Sequence, residues 1–148
     1  MADRAELHRP FRPRAARAVS WVLGVLTVLG AVAVVLFLPA AGIAYGPADA
    51  AGTVGLAGLI CWFLWRQGGV LARPDEDGLH VRNLIHSRDV GWAEIVSLGF
   101  GDGTPWAQLD LTDGSTLAVM AIQRADGERG HSEARRLATL IALHEPRD

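Results

Sequence analysis

Histidine is the residue type in this sequence with the widest chemical scope, because imidazole binds metals and transfers protons near neutral pH. Four histidines lie in the second half of the chain, at His80, His86, His131 and His144. They lack carboxylate or cysteine neighbours at metal-ligand spacing, and no two stand four residues apart on one predicted helix. Ser132 directly follows His131, and sequence neighbours do not form the geometry of a catalytic triad. We therefore predict no metal site, no cofactor site and no catalytic residues, and so a protein that is not an enzyme.

A glycine-rich stretch, Gly99–Gly103, has the composition of a phosphate-binding loop. Such loops follow a strand and open a helix, so that backbone N–H groups and the helix dipole meet the phosphate. Here Pro105 and a predicted strand follow instead. The stretch therefore predicts a connection between two hairpin strands.

Three other side chains are candidates for contact with a partner. Arg82 and Arg88 form a basic pair on neighbouring predicted strands, and they are interpreted either as a site for an anionic headgroup or as solvated surface charges. Strand alternation places Trp106 on the face opposite Leu109 and Leu111. If Trp106 is exposed, it is the best candidate for contact with a protein partner.

Charge is distributed unevenly along the 148 residues, whose formal net charge is −2. From Arg66 to the end, nine arginines stand against thirteen acidic residues, a net charge of −4. Such a surface repels polyanions and anionic membranes on average, so we expect no nucleic-acid partner. The single cysteine, Cys61, excludes a disulfide framework.

Two apolar runs dominate the first half of the chain. Residues 19–38 carry no charge and as a helix would extend about 30 Å, the thickness of a bilayer's hydrocarbon core. A short loop, residues 39–47, separates them from the second run, residues 48–65. A cleaved signal peptide is the alternative for the first run, but its apolar core is longer than such peptides have. The pattern predicts a transmembrane helical hairpin in the cell membrane.

The arginines next to the two runs indicate an orientation. Residues 1–18 form a basic segment with five arginines, Arg66 and Arg73 follow the second run, and the loop between the runs has none. The positive-inside rule then places both termini in the cytoplasm.

Small residues recur at helical spacing on both runs, a pattern that lets helices approach closely in lipid. They are Ser20, Gly24, Thr27 and Ala31 on the first run, and Ala51, Gly55 and Gly58 on the second. Two interpretations stay open: the hairpin packs against itself, or two copies of the chain form a homodimer.

From residue 70 onward the apolar pattern alternates, which predicts an α+β domain over residues 70–145. A helix capped by Ser132 and ended by Pro146 closes it, and Trp92 is predicted to fill the core at a corner. Six strands are predicted: Val70–Arg73, Leu79–Asn83, His86–Trp92, Val96–Phe100, Trp106–Leu111 and Ser115–Ile122.

The last two strands predict a hairpin with a defined register. A two-residue turn at Asp113-Gly114 would place Leu109 opposite Ala118. A three-residue loop, with its glycine in the left-handed conformation, instead places Leu109 opposite Leu117. The second choice pairs apolar side chains on one face, which fixes register in a half-buried sheet, and we predict it.

These segments resemble the bacterial pleckstrin-homology (PH)-like domain of small actinobacterial membrane proteins. The resemblance is carried by Gly78–Asn83, Val90–Ile95, Trp106, Leu111, Asp113-Gly114 and Leu117. Members of that family, which includes a low-molecular-weight mycobacterial antigen, commonly place two membrane spans before the domain. The resemblance implies a bent antiparallel sheet or barrel closed by one C-terminal helix, with seven strands where this sequence predicts six.

The resemblance indicates a fold more than a function. We predict an integral membrane protein that presents a cytoplasmic PH-like module to a protein or peptide, as a non-enzymatic scaffold or adaptor. The expected partners are the lipid bilayer and an unidentified protein. The alternatives are an accessory or stabilising subunit of a larger membrane complex, and weak binding of anionic lipid headgroups.

Overall fold

The structure is a computed structural model that describes residues 4–101 and 103–144. The described residues divide into two compact units. One consists of residues 16–68 and is a pair of helices. The other joins residues 4–15 to the residues from 69 onward and is an α+β domain.

Two long helices form the helical unit, and a short helix, α1 (Arg4–Leu7), precedes them in the chain. Helix α2 spans Arg14–Ala40 and helix α3 spans Pro47–Gly68. Both extend beyond the apolar runs of the sequence, and by length and composition both are able to cross a membrane.

The connection between α2 and α3 is fixed by hydrogen bonds at the two helix ends. Gly42 has a positive φ of 74°, and its N–H donates to the carbonyl of Pro39 at 3.1 Å. This is a left-handed cap of a helix C-terminus, for which glycine is favoured. At the start of α3, the Asp49 carboxylate accepts a hydrogen bond from the N–H of Gly46 at 2.8 Å, as in a capping box.

The domain contains the predicted strands, each within one residue of its predicted ends, which confirms that part of the prediction. They are β1 (Leu71–Pro74), β2 (Gly78–Arg82), β3 (Ser87–Gly91), β4 (Ile95–Gly99), β5 (Trp106–Leu111) and β6 (Thr116–Gln123). Helix α4, Glu128–His144, follows them.

The strands form two antiparallel sheets, in the orders β1-β2-β3 and β4-β5-β6, rather than one continuous bent sheet. A 3-10 turn at Trp92–Glu94 carries the chain from the first sheet to the second. Asn83, at the end of β2, links the sheets: its side-chain amide donates to the Ala118 carbonyl at 2.7 Å and accepts from the Met120 N–H at 3.1 Å. These two bonds join the end of β2 to backbone groups of β6.

The β5–β6 hairpin has the predicted register. Leu109 lies opposite Leu117 and Ala107 lies opposite Val119. Gly114 has a φ of 79°, the left-handed conformation expected for the last residue of the three-residue loop. The prediction from paired apolar side chains is confirmed.

Helix α4 begins four residues before the predicted cap at Ser132, so that prediction was wrong. Gly127, with φ 58°, ends a 3-10 turn, and α4 starts at Glu128. Gly130 lies inside the helix, where a Cβ would stand 2.2 Å from the carbonyl oxygen of Gln123. This glycine is needed for close packing of α4 on β6, whereas the predicted cap at Ser132 placed it before the helix.

One hydrophobic core fills the space between the sheets and α4. Its fully buried side chains include Leu79, Val81, Val90, Leu109, Val119, Ile122, Leu137 and Leu140. Trp92 is also buried, as predicted; its indole N–H donates to the Asp75 carbonyl at 3.1 Å and its ring stacks on His144 with centroids 4.7 Å apart. Leu143, near the end of α4, is 58% exposed.

The residues before α2 complete this core. Phe11 is fully buried and exchanges two backbone hydrogen bonds with Ala72, at 2.8 and 3.1 Å, as an isolated antiparallel bridge. The guanidinium of Arg136 lies 3.7 Å from the centroid of the Phe11 ring, a cation–π contact. The sequence assigned residues 1–18 to a separate basic segment, whereas in the structure residues 4–15 belong to the domain. The bridge lies beside β1, where a seventh strand would pair.

Arg136 also holds the backbone of this N-terminal segment. One of its terminal nitrogens donates to the carbonyls of Leu7 and Arg9 at 2.8 and 2.7 Å. The same guanidinium pairs with the carboxylate of Glu133, one turn earlier on α4. Hydrogen bonds from a charged donor are stronger than neutral ones, so this side chain fixes the segment to α4.

Asp126 makes a second tie between the domain and this segment. Its carboxylate accepts hydrogen bonds from the backbone N–H groups of Arg14 and Ala15, at 3.2 and 2.7 Å. These are the first two residues of α2, so a side chain distant in sequence takes the role of an N-cap.

Candidate functional site

The two arginines predicted to act together lie on opposite faces of the first sheet. In the pairing of β2 with β3, Val81 stands opposite Arg88 and Arg82 stands opposite Ser87. Directly opposed residues share a face of an antiparallel sheet, and Val81 is buried. Arg88 therefore belongs to the inner face, whereas Arg82 belongs to the exposed outer face, and the two do not form one headgroup site.

Arg88 is held by the loop between β5 and β6. Its guanidinium pairs with the Asp113 carboxylate at 3.1 Å and donates to the Ser115 hydroxyl at 3.2 Å. Asp113 also accepts from the hydroxyl and the N–H of Ser115, at 2.6 and 2.8 Å. The hydrogen bonds from Ser115, followed by that from Arg88, lower the pKa of Asp113 from 3.8 to about 2. Arg88 thus ties the first sheet to this loop.

Trp106 is half-buried rather than exposed. It begins β5 opposite Gln123, next to a bulge that separates it from the fully buried Ala107. The exposure on which its role depends is therefore only partial, and contact with a partner through Trp106 stays a prediction.

The histidines make local contacts. His80 places Nδ1 against the carboxylate of Asp89, its neighbour across the β2–β3 pair. His131 and His144 each place Nδ1 near the backbone carbonyl four residues earlier, that of Gly127 and of Leu140, at 3.1 and 2.8 Å. Within residues 4–101 and 103–144, no group of three His, Cys, Asp or Glu side chains is arranged to hold a metal ion.

The glycine-rich stretch is a connection between antiparallel strands, as predicted. Gly99 ends β4, and β5 begins at Trp106 and pairs with β4. Arg124 donates to the Gly101 carbonyl at 3.0 Å. A strand, not a helix, follows the stretch, so it lacks the helix N-terminus that a phosphate loop uses. Asp102 lies outside the described residues.

The small residues of the two helices are placed differently. On α2 the predicted stripe, Ser20, Gly24, Thr27 and Ala31, is less exposed than the residues around it. On α3 the half-buried residues in the apolar run instead include Thr53, Ala57, Cys61 and Leu64. The Cys61 sulfur lies 4.0 Å from the Gly24 carbonyl oxygen. Gly55 and Gly58 lie on the exposed side of α3, where an added Cβ would meet no described atom within 4 Å.

Each sheet has two edge strands, β1 and β3 in the first and β4 and β6 in the second. Two of these edges, β3 and β4, differ in charge. β3 contains Arg88 and Asp89, and charged side chains discourage pairing with another chain. β4 has the uncharged sequence IVSLG, a bulge between Ile95 and Ser97, and Val96 with 61% exposure. The backbone groups of an uncharged edge can pair with an extended peptide. The sequence did not reveal this site, because alternation within a strand does not show which strand lies at an edge.

Two three-stranded antiparallel sheets around one core, with a C-terminal helix packed on it, define a PH-like α+β domain. Two long apolar helices precede most of it in the chain.

Comparison with known proteins agrees with this class. Residues 73–139 match the family described as Bacterial PH domain. Over 142 residues the chain is 34% identical to the uncharacterized proteins Rv1417 of Mycobacterium tuberculosis and Mb1452 of Mycobacterium bovis, covering 90% of this chain and 86% of each relative. The chain belongs to this family of bacterial PH-domain proteins. No solved structure matches it. The relatives' names do not mention an antigen, so that part of the resemblance stays a prediction.

Proposed function

We propose that this protein is a membrane-anchored, non-enzymatic adaptor whose PH-like domain binds an extended peptide of a partner protein on the cytoplasmic side. Helices α2 and α3 form the anchor. The outer edge of β4 forms the peptide-binding surface. The proposal joins three steps: anchoring, orientation and recognition.

The bridge between Phe11 and Ala72 supports the anchoring step. Phe11 precedes α2 and Ala72 follows α3, and their backbones exchange two hydrogen bonds. Residues paired in this way are on the same side of a membrane, which requires an even number of crossings between them. Two spanning helices satisfy this requirement, whereas one would not.

The arginines support the cytoplasmic orientation. Five lie in residues 1–18 and Arg66 and Arg73 follow α3, whereas the connection between the helices carries none. A topology reporter fused after Asp148 tests this step. We expect activity of a cytoplasmic reporter; activity of a periplasmic reporter there would contradict it.

The exposed, uncharged edge of β4 is the observation that carries the recognition step. Pairing with β5 leaves the other edge of β4 without a strand partner among the described residues. Val96 in this strand is 61% exposed, although a bulge of this kind often protects an edge. A peptide added to β4 would gain main-chain hydrogen bonds, with Val96 as an apolar contact.

Site-specific photo-crosslinking in native membranes tests this surface. A photoreactive residue replaces Val96 in one version of the full chain and Ile85 in another. Ile85 is a matched control, because it is 70% exposed and lies in the connection between β2 and β3, which belong to the other sheet. We expect one defined protein adduct from position 96 and none from position 85.

A charge on the edge gives a second test. Val96→Lys places a lysine where an incoming strand would lie, and Ile85→Lys adds the same charge elsewhere. We expect Val96→Lys to abolish copurification of the crosslinked partner and Ile85→Lys to retain it. Equal recovery with both variants would rule out β4 as the contact.

An accessory subunit of a larger membrane complex is the second candidate function, favoured by the open side of α3. Gly55 and Gly58 leave space there that nothing described in the helical unit fills, and small residues allow close helix contacts in lipid. Gly58→Leu distinguishes the two functions. It should dissociate such a complex in native gels, whereas an adaptor that binds through β4 should keep its Val96 crosslink.

A further inference from the structure

We propose that the peptide bound at the edge of β4 is basic, with a lysine or arginine that crosses the outer face of the second sheet and pairs with Asp110. This inference rests on the proposed peptide binding at β4, and it names the chemistry of that peptide. The argument uses the charges and the register of β4, β5 and β6. We call the surface formed by Ser97, Asp110 and Thr116 the acidic row.

Charge of a single sign characterises the second sheet. Residues 95–123, which contain its three strands, include three aspartates and no lysine, arginine or histidine. Two of these aspartates, Asp110 and Asp113, lie in the described part of the segment. A surface of one sign attracts segments of the opposite sign and repels segments of its own. The second sheet therefore favours a cationic partner.

The acidic row crosses all three strands on the outer face of the sheet. Ser97 pairs with Asp110 between β4 and β5, and Asp110 pairs with Thr116 between β5 and β6. Directly opposed residues share a face of the sheet. The neighbours of Asp110 along β5, Leu109 and Leu111, are buried. The three residues of the row are all exposed, so they belong to the solvent side.

The carboxylate of Asp110 lies along this row and reaches toward β4. One of its oxygens accepts a hydrogen bond from the Ser97 hydroxyl at 2.6 Å, and the other accepts one from the Thr116 hydroxyl at 3.2 Å. Both donors are neutral, so they leave the negative charge in place. A carboxylate has about four lone-pair sites, so the oxygen nearest β4 is able to accept a further hydrogen bond from a cation.

Arginines contact the second sheet at its connections rather than at this row. Arg88, from the first sheet, pairs with Asp113 at 3.1 Å, so these two charges oppose each other. Arg124 donates to a carbonyl of the connection between β4 and β5, at the end of β5 where Trp106 lies. The four residue steps from Trp106 to Asp110 extend about 13 Å, beyond the screening length of about 8 Å at physiological salt. The charge of Asp110 is therefore available to a partner.

The register of β4 defines which residues of the peptide are basic. A peptide residue paired with Ser97 shares the outer face and lies two strand spacings, about 10 Å, from Asp110. Ser97 is small, so the long stem of a lysine or arginine is able to cross it and bring its charge to the carboxylate. Leu98, the next residue of β4, pairs with the buried Leu109 on the inner face. The peptide residue beside Leu98 is therefore apolar, and basic and apolar residues are adjacent.

The photo-crosslink from residue 96 tests this chemistry in the full chain. Chymotryptic digestion and mass spectrometry of the adduct identify the partner segment that lies against β4. We expect a lysine or arginine next to an apolar residue within that segment. A segment without a basic residue would overturn this inference and leave the adaptor intact. Absence of an adduct, or an adduct with a second copy of this chain, would overturn both.

Synthetic peptides measure how much the charge contributes to binding. One peptide has the sequence of the crosslinked segment, and the other has glutamine in place of each lysine and arginine. Fluorescence anisotropy with the full chain in nanodiscs should show at least fivefold weaker binding of the glutamine peptide. High salt should weaken the natural peptide more than the glutamine peptide, since it screens exposed charges.

Substitutions of Asp110 identify the acidic partner of the peptide. Asp110→Asn should weaken binding of the natural peptide about fivefold, the upper range for one exposed ion pair. Asp110→Lys should weaken it more than tenfold, because like charges then face each other. Asp110→Glu keeps the charge and should retain binding. Glu76→Gln is the control, since it removes an exposed acidic side chain from the turn between β1 and β2, and it should leave the affinity unchanged.

The outcomes separate this inference from the proposed function. Equal affinity of the two peptides, or equal affinity of the natural peptide for the unmodified chain and for Asp110→Lys, would overturn pairing with Asp110. Loss of binding in Asp110→Glu would assign the effect to the shape of the acidic row and would also overturn it. In each of these cases the crosslink from residue 96 would still support an adaptor that binds peptides at β4.

Discussion

The helical unit and the domain use the same apolar residue types in opposite ways. In α2, Trp21 and Phe37 are 73% and 68% exposed, whereas in the domain Trp92 and Phe11 are 6% and 0% exposed. Removing one such side chain from water is worth about 1.5–3 kcal/mol. The domain obtains this stabilisation from its own core, whereas the helical unit needs apolar surroundings to obtain it.

The environment of a residue, more than its type, therefore sets how much its replacement changes the free energy of unfolding. The same type of substitution should therefore change stability by different amounts in the domain and in the helical unit. The following experiments measure the free energy of unfolding of the domain in the detergent-solubilised full chain.

The largest effect is expected for Phe11→Ala. It should lower the free energy of unfolding of the domain by about 3–5 kcal/mol, the cost of truncating a buried aromatic side chain, and it also removes the contact with Arg136. Phe37→Ala, at an exposed position of α2, should change it by less than about 0.5 kcal/mol. Urea titration followed by hydrogen exchange of β5 and α4 amides measures both. Equal effects would show that Phe11 is not part of the core.

Glycine-to-alanine substitutions should differ in sign between the two units. At Gly130 the new Cβ would stand 2.2 Å from the Gln123 carbonyl oxygen, and we expect a loss of about 2 kcal/mol, typical of overpacking. At Gly55 it would meet no described atom within 4 Å, so Gly55→Ala should stabilise α3 by up to about 1 kcal/mol. Thermal unfolding of the two variants checks this, and stabilisation by Gly130→Ala would contradict the close packing.

Asn83→Ala tests the link between the two sheets. It removes two hydrogen bonds to the backbone of β6 and should lower the free energy of unfolding by about 2 kcal/mol. Gln123→Ala is the control, because that side chain makes one bond, to the Met120 carbonyl at 3.0 Å. We expect a smaller loss there in the same urea titration; the reverse order would exclude Asn83 as the main link.

The smallest effect is expected at the exposed Asp113. Its pKa of about 2 in the folded protein is below the ordinary value of 3.8, so folding favours the ionised form. The associated stabilisation is present above about pH 4 and is lost as the pH falls toward 2. Ser115→Ala removes the largest cause and should raise the pKa of Asp113 toward its ordinary value, as measured by NMR titration of the carboxyl carbon. An unchanged pKa would assign the shift to the Ser115 N–H and to Arg88 instead.

The features that the sequence predicted well depend on local patterns. Alternation placed each strand within one residue of its ends, and the pairing of Leu109 with Leu117 followed from matching apolar faces. The left-handed Gly114 followed from loop length. In each case the residues that decide the structure lie within a few positions of one another.

The features that were missed depend on contacts between distant segments. Arg136 binds the Leu7 carbonyl across 129 positions, and no periodicity in either segment indicates that contact. Gly130 is needed because Gln123 approaches it, which only the packed structure shows. The opposite faces of Arg82 and Arg88 depend on which residues of β2 and β3 pair. Turn composition and alternation do not contain that information.

The buried Phe11 has a consequence for the order in which the chain matures. It leaves the ribosome before both helices, yet its partner Ala72 follows them, and Arg136, which covers its ring, is made later still. The core of the domain therefore closes only after both apolar helices and Arg136 have emerged. A fragment begun at Gly69 would contain every strand and still lack the side chain that fills this part of its interior.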